Sequence, residues 1–238
     1  MADQPADVTT LPITTCAFSL VDTAWEFADR NARAIDEHWE RAHAERPKLF
    51  NGIIHLLSSW ELTEGTLTGT FLRTDFKSFL YWRETGYCEA GVKDAFGSSL
   101  IRSADDAILL GRQTEGNMNS GLAYPPSGMI DVEDVGPDGV DIDAHIAREL
   151  AEESGLGPGD LVRVPGYLVT FAGPLVSIAI EWRSVLEAEA LRACMLKHIR
   201  SQCAPELADV VIVRRRGEID TIGAPVYARA LLGRILSA

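Results

Sequence analysis

Three glutamates, Glu149, Glu152 and Glu153, stand at i, i+3 and i+4 in the run Arg148-Glu149-Leu150-Ala151-Glu152-Glu153-Ser154-Gly155-Leu156. On a helix that spacing puts all three carboxylates on one face. Three like charges on one face repel, and in a purely structural helix they cost stability. A divalent cation removes that cost. Magnesium is hard, prefers oxygen ligands and is commonly held by carboxylates together with substrate phosphates. Arg148 can brace one carboxylate from the adjacent face, Gly155 can supply a left-handed helix end, and Leu156 can anchor it. The ordinary alternative for a charge run is a solvated acidic face. Against it stands the restrictiveness of the pattern. Five fixed residues and two aliphatic ones at set spacing should arise by chance in a chain of this size on the order of once in 10⁵.

Such a face suits hydrolysis of a diphosphate. That reaction needs negative charge neutralised on the phosphoryl oxygens, a water placed in line, and a base. Metals bridged by carboxylates meet the first two needs, and a neighbouring carboxylate can meet the third. No Ser/His/Asp arrangement in recognisable context competes. His145 lies one turn before Glu149 on the same face. It either reaches substrate or serves as a surface or packing histidine.

The run resembles the second half of the Nudix box, REUxEExGU with U aliphatic, at every defined position. Upstream, Pro125-Pro126-Ser127-Gly128-Met129-Ile130-Asp131 is similar to the Pro-Gly-Gly-x-Val-Glu opening of that family, and aligns Gly128 with the first glycine of the box. The first half departs from the pattern. About six extra residues fall within 132–143, and the place of the first box Glu holds Val140. Glu133, Asp141 and Asp143 are nearby carboxylates that can substitute, or Asp143 can be a helix N-cap. The resemblance implies that Glu152 and Glu153 ligate magnesium (or manganese), and that Glu149 ligates or helps deprotonate the attacking water. It also implies that Arg148 orients Glu149 and that the carbonyl of Gly128 completes a metal shell. The implied fold is α/β, an α/β/α sandwich around a mixed sheet over about residues 93–238. Residues 1–92 form an added α/β layer packed against it.

The elements that must position these residues can be read from periodicity and punctuation. A strand is expected over 13–21 after a frayed start to about residue 11, and a helix from Asp22 or Thr23 to about Glu45. Residues 50–62 and 66–73 read as a hairpin turning at Glu64-Gly65, followed by a short helix over 76–85 closed by Gly86. Strands are expected over 98–103 and 107–112, and a loop over 114–128. The acidic helix spans 143–154. Strands follow over 162–171 and 175–182, then a helix over 187–202, a strand over 210–214 and a helix over 225–236.

Arg112, Asn117, Asn119 and Tyr124 sit on the loop leading to Gly128 and are candidate substrate contacts, though polar loop residues are also merely soluble. Arg214-Arg215-Arg216 is a solvated strand end or a phosphate contact. Leu49-Phe50-Asn51-Gly52 and the segment Thr74-Asp75-Phe76-Lys77-Ser78-Phe79-Leu80 are similar to the Nudix subgroup that includes UDP-glucose and UDP-galactose hydrolases. Plain packing accounts for them equally. That subgroup resemblance implies a nucleoside diphosphate sugar cut to a sugar 1-phosphate and a nucleoside monophosphate. Coenzyme A, ADP-ribose or a dinucleotide are alternative substrates. A non-catalytic nucleotide-binding or regulatory protein is the alternative that the valine at position 140 keeps open.

Across its 238 residues the chain carries a net charge of −13. That argues against nucleic-acid and acidic-lipid partners, because phosphate binding needs clustered Lys and Arg. The expected partner is a small nucleoside diphosphate derivative. Homodimers are common among the enzymes resembled, while nothing in the sequence marks a dimer surface. Cys16, Cys88, Cys194 and Cys203 form no CxxC pair, so neither zinc nor a redox motif is indicated. The opening MADQPADVTT lacks the basic and apolar regions of a signal peptide, and no run reaches membrane-span length, so a cytoplasmic protein is expected.

Overall fold

The structure is a computed structural model that describes residues 8–236. It is a mixed α/β fold whose residues group into two compact units. The larger draws its described residues from Met1–Thr15, Phe96–Gly128 and Asp143–Ala238, and the smaller comprises Cys16–Ala95 and Met129–Ile142.

The larger unit is built on a sheet of nine strands among the described residues. Its main path runs β1 (Val8–Ile13), β12 (Tyr167–Ala172), β13 (Leu175–Ser184), β5 (Asp94–Arg102), β6 (Ile108–Gln113) and β14 (Leu207–Val213). Short strands β7 (Ala123–Tyr124), β8 (Ser127–Met129) and β11 (Leu161–Arg163) pair with β6, β5 and β13. Strand β5 is buried almost throughout, as its run of small and apolar residues requires of a central strand. Its alternation fixes what covers each face. Phe96 meets Tyr227, and Leu100 joins Leu231, Leu232 and Leu236, so one face lies under α5 (Val226–Ile235). Gly97 and Ser99 point the other way, to α3 (Ile142–Ser154): Ser99 Oγ donates to the Ile146 carbonyl at 3.1 Å. Helix α4 (Ala188–Ser201) lies beside α3 and seals its end. His198 Nε2 and Gln202 Nε2 approach the Glu152 carbonyl at 2.9 and 2.8 Å, which satisfies an acceptor that a helix C-terminus otherwise leaves open.

In the smaller unit the sheet order is β3 (Ile53–Thr63), β4 (Thr66–Asp75), β2 (Thr15–Val21), β10 (Gly139–Val140) and β9 (Val135–Gly136). The β3–β4 hairpin turns at Glu64 and Gly65, both at positive φ, as a tight right-twisted hairpin requires. Helices α1 (Glu26–Glu45) and α2 (Phe76–Glu84) bring Trp25, Phe27, Phe79 and Trp82 into one aromatic cluster. The extra residues between Gly128 and Arg148 now have a structure. They form the β9–β10 hairpin, and Val140 pairs with Phe18 on β2 with its side chain buried.

Some local expectations need correction. Residues 8–11 are not frayed; they form β1, in register with β12 from Val8↔Ala172 to Ile13↔Tyr167, and residues 1–7 lie outside the described residues. β-branched Val8, Thr9 and Thr10 suit that strand, and Thr10 and Thr170 join hydroxyls across it at 2.9 Å. The segment 114–128 is not wholly loop, since it carries β7 and β8. The expected strand 162–171 breaks at Gly166, where φ is +81° and a side chain would press on the Ile13 carbonyl. Neither Asp22 nor Thr23 caps α1: Trp25 occupies the N-cap without a side-chain bond.

Gly155 ends α3 at φ +70°, and a Cβ there would run into the His198 ring. Gly155→Ala is expected to lower stability by about 1–2 kcal/mol or more, measured as a drop of several degrees in Tm. An unchanged Tm would mean that the α3–α4 junction is looser than this geometry.

Candidate functional site

The acidic run folds as the second half of α3, as its spacing predicts, but its three carboxylates do not share one environment. Glu153 is buried, at 4% exposure, and Glu149 is nearly so, with 12% of its side chain exposed. Glu152 is 59% exposed and sits at the rim. Arg148 braces two of the three, its Nη1 lying 2.9 Å from Glu149 Oε1 and 3.3 Å from Glu152 Oε2.

The opposite wall is the loop end Pro125–Gly128. It is strapped onto β5, because Ser99 N–H donates to the Pro126 carbonyl at 2.8 Å and Ser98 Oγ bonds both Ser127 Oγ and Ser177 Oγ. Ser127 N–H then donates to Glu153 Oε2 at 2.9 Å, while Glu153 Oε1 is buried with no hydrogen-bond partner. Gly128 packs so close to the Glu149 carboxylate that a Cβ would collide with it. Its carbonyl lies 3.0 Å from Nε2 of the fully buried His145.

Burial raises the Glu149 pKa from its ordinary value of 4.5 to about 7. His145 and Arg148 oppose the rise, and Glu152 and Glu206 add to it. Burial also raises Glu153 well above the carboxylate range, reinforced by Glu206 and Glu149. Glu206 itself is raised by burial and by Glu152. It is therefore a fourth carboxylate of this cluster, and sequence reasoning missed it. It follows Pro205 at the start of β14, fifty residues beyond the acidic run, and no local pattern marks it; only the pairing of β14 with β6 brings it here.

A divalent cation fits these residues. The donors are hard oxygens, several carboxylates raise one another's pKa, and one carboxylate oxygen is buried without a partner, a state that carries a cost unless something fills it. As they stand, no group of three or more His, Cys, Asp or Glu among the described residues forms a ready ligating set. Glu149 and Glu152 are turned toward Arg148 instead.

The other sequence candidates are placed as follows. Arg112 Nη1 donates to the Gly121 carbonyl at 2.7 Å, Asn117 Nδ2 to Gln113 Oε1 at 2.8 Å, and Asn119 Nδ2 to the Tyr124 hydroxyl at 3.2 Å. These bonds fix the loop between β6 and β7. Tyr124 is buried, and burial together with the charges of Glu153 and Glu206 raises its pKa, so it stands beside the carboxylates. Asp143 is engaged by Arg163 at 2.7 Å and by the Tyr167 hydroxyl at 3.0 Å. Glu133 and Asp141 lie on the hairpin segment of the smaller unit. Arg214 pairs with Asp105 and Glu189, as a strand end would. Asn51 and Asp75, from the two N-terminal motifs, jointly cap α2: Asn51 Oδ1 accepts from Lys77 N–H and Asp75 Oδ1 from Ser78 N–H. Among the described residues, no helix is long and apolar enough to cross a membrane.

No family model matches the chain, and no curated protein matches it. Among solved structures, the chain is similar to a Nudix hydrolase from M. smegmatis, RenU, at 14% identity and TM-score 0.39, over 60% of this chain and 83% of that one. A MutT protein from Methanosarcina mazei Go1 is 23% identical with TM-score 0.39, covering 60% and 92% of the two chains. A C. elegans Ap4A hydrolase is 15% identical with TM-score 0.40, covering 58% and 93%.

A carboxyl whose pKa is raised in the folded state holds its proton more tightly folded than unfolded. It contributes stability at low pH, and that contribution is lost as pH rises through the folded value. For Glu149, between 4.5 and about 7, the loss is on the order of 3 kcal/mol in metal-free protein. In chelator, the stability of the native chain relative to Glu149→Gln is therefore expected to fall from pH 5 to pH 8, as followed by urea unfolding. Parallel curves for the two proteins would show that Glu149 is not held in this environment.

Proposed function

We propose that this chain is a divalent-metal-dependent hydrolase of a diphosphate linkage in a small nucleoside diphosphate derivative. The observation that carries the reading is Glu153: a buried carboxylate with one oxygen held by Ser127 and the other without a partner, set among Glu149, Glu152 and Glu206. Four acidic groups with one bracing arginine are a poor structural device and a good cation trap.

Glu149, Glu152 and Glu153 would hold the ion, magnesium first and manganese as its substitute, with Glu206 as a further oxygen donor and the Gly128 carbonyl at the edge of the shell. When bound, the ion neutralises charge on the diphosphate oxygens. Arg148 would orient Glu149. In the reaction a water oxygen attacks one phosphorus, the bridging P–O bond breaks, and its electron pair leaves with the second phosphate. Glu149 has two open roles, as a ligand of the ion or as the carboxylate that takes the proton released by that water. The nucleoside or its partner group is proposed to lie along Arg112 of β6, Tyr124 of β7 and, on the loop between them, Asn117 and Asn119. The support is the position of Tyr124 beside Glu153 and Glu206.

A nucleoside diphosphate sugar is the first substrate class to test. Asn51 and Asp75 from the N-terminal motifs that suggested it cap α2, and the choice of substrate must come from assay. A panel of UDP-sugars, ADP-ribose, coenzyme A and dinucleoside polyphosphates with magnesium, scored by phosphatase-coupled phosphate release, should show turnover of at least one. No turnover at high enzyme concentration would leave only a binding role. Coenzyme A cut while UDP-sugars survive would replace the sugar reading.

Glu153→Gln removes one ligand and one buried charge. Turnover should fall by about 100-fold or more, while the Tm of metal-free protein at pH 8 stays level or rises. Near-native turnover in this variant would place the metal site elsewhere.

A further inference from the structure

A fully buried histidine is an expensive core residue unless both ring nitrogens are satisfied, because an apolar side chain would fill the same space without polar atoms. His145 is such a residue, and both its nitrogens face the candidate site. On one side, Nε2 lies 3.0 Å from the Gly128 carbonyl and 3.3 Å from the Gly97 N–H. On the other, Nδ1 lies 3.4 Å from Arg148 Nη2 and 4.0 Å from Glu149 Oε1.

The chemistry of the partners assigns the proton. A guanidinium only donates, so the nitrogen facing it accepts; the ring proton then sits on Nε2 and is donated to the Gly128 carbonyl. In that tautomer Nε2 cannot also accept the Gly97 N–H at 3.3 Å, so the Gly128 and Arg148 contacts together outweigh that one. That carbonyl retains a second lone pair, so the bond orients the oxygen without exhausting it. The site is also shaped around the ring. A Cβ on Gly97 would overlap His145, so β5 must carry glycine where the imidazole passes beneath it.

We infer that His145 is a positioning residue: one ring sets the direction of the Gly128 carbonyl and the place of the Arg148 guanidinium, and so joins the loop wall of the site to its helix wall. The inference rests on the metal-hydrolase reading. Both walls would contribute to ion binding, and His145 touches neither the substrate nor the ion. Losing such a support typically costs 10–100-fold in metal affinity.

The test is Mn²⁺ binding to substrate-free protein, by calorimetry and by electron paramagnetic resonance, in the native chain, His145→Phe, His145→Gln and Glu153→Gln. His145→Phe keeps a ring of similar shape without its nitrogens and is expected to bind Mn²⁺ at least about tenfold more weakly while circular dichroism shows it folded. His145→Gln, which keeps a donor and an acceptor, should regain part of that loss. A folded His145→Phe that binds within twofold of the native chain would reduce His145 to packing. With a native chain that binds Mn²⁺ and a Glu153→Gln variant that does not, near-native binding by His145→Phe overturns the inference alone; a native chain that binds none overturns the metal reading as well. Should His145→Phe fail to fold, ¹⁵N NMR of the native chain decides. The inference expects a protonated Nε2, protected from exchange, with a shift that moves on adding Mg²⁺. A proton on Nδ1, or a ring indifferent to Mg²⁺, contradicts it.

Discussion

The free energy of burying negative charge governs this protein. Glu153 and Glu149 lie inside, the charges of Glu152 and Glu206 act on them, and Arg148, His145 and the Ser127 N–H answer them. A fold seeking stability alone would place leucine or glutamine there, since replacing buried charge by well-packed neutral groups is often neutral or stabilising. Retaining the carboxylates makes sense when a cation completes the cluster. The raised pKa values of Glu149, Glu153 and Glu206 express the same incompleteness in terms of protons.

Holding such a cluster requires rigid walls on every side, and the larger unit supplies them. Strand β5 separates α5 from α3 and carries only small residues, Gly97 and Ser99, where α3 crosses it. The serine string at 98, 127 and 177 and the Ser99–Pro126 bond strap the loop end to the sheet, so Ser127 and Gly128 reach the glutamates at fixed height. The far end of α3 is closed by His198 and Gln202 on the Glu152 carbonyl. The helix that bears the charge is therefore fixed at its end, against the sheet and against the loop. Side-chain repulsion has few ways to relax except by protonation, by Arg148 or by a bound ion.

The parts of this arrangement legible in the sequence were those carried by local spacing. The i, i+3, i+4 glutamates, the adjacent arginine and the glycine stop predicted α3 and its end, and the Glu64-Gly65 turn predicted the first hairpin. What the sequence hid depends on contacts between distant segments. Glu206 belongs to the cluster because β14 pairs with β6, and no motif around Pro205 announces it. A helical wheel puts the three glutamates on one face, but it does not show which of them meets the loop. Residues 132–143 read as an insertion of unknown shape, and became a hairpin only because β2 offered an edge for Val140 to pair with Phe18. The motifs at 49–52 and 74–80 suited a substrate subgroup and plain packing equally, and Asn51 and Asp75 from them cap the same helix.

The central claim is that the α3 carboxylates form a divalent-cation site, and locating the ion by diffraction tests it most directly. Crystals grown with Mn²⁺ and measured at the manganese absorption edge should give an anomalous peak within coordination distance of Glu153 Oε1 and of a Glu149 carboxylate oxygen, with Arg148 displaced from at least one glutamate. A well-diffracting crystal with no such peak at saturating Mn²⁺, or with its only peak away from α3, would contradict the account.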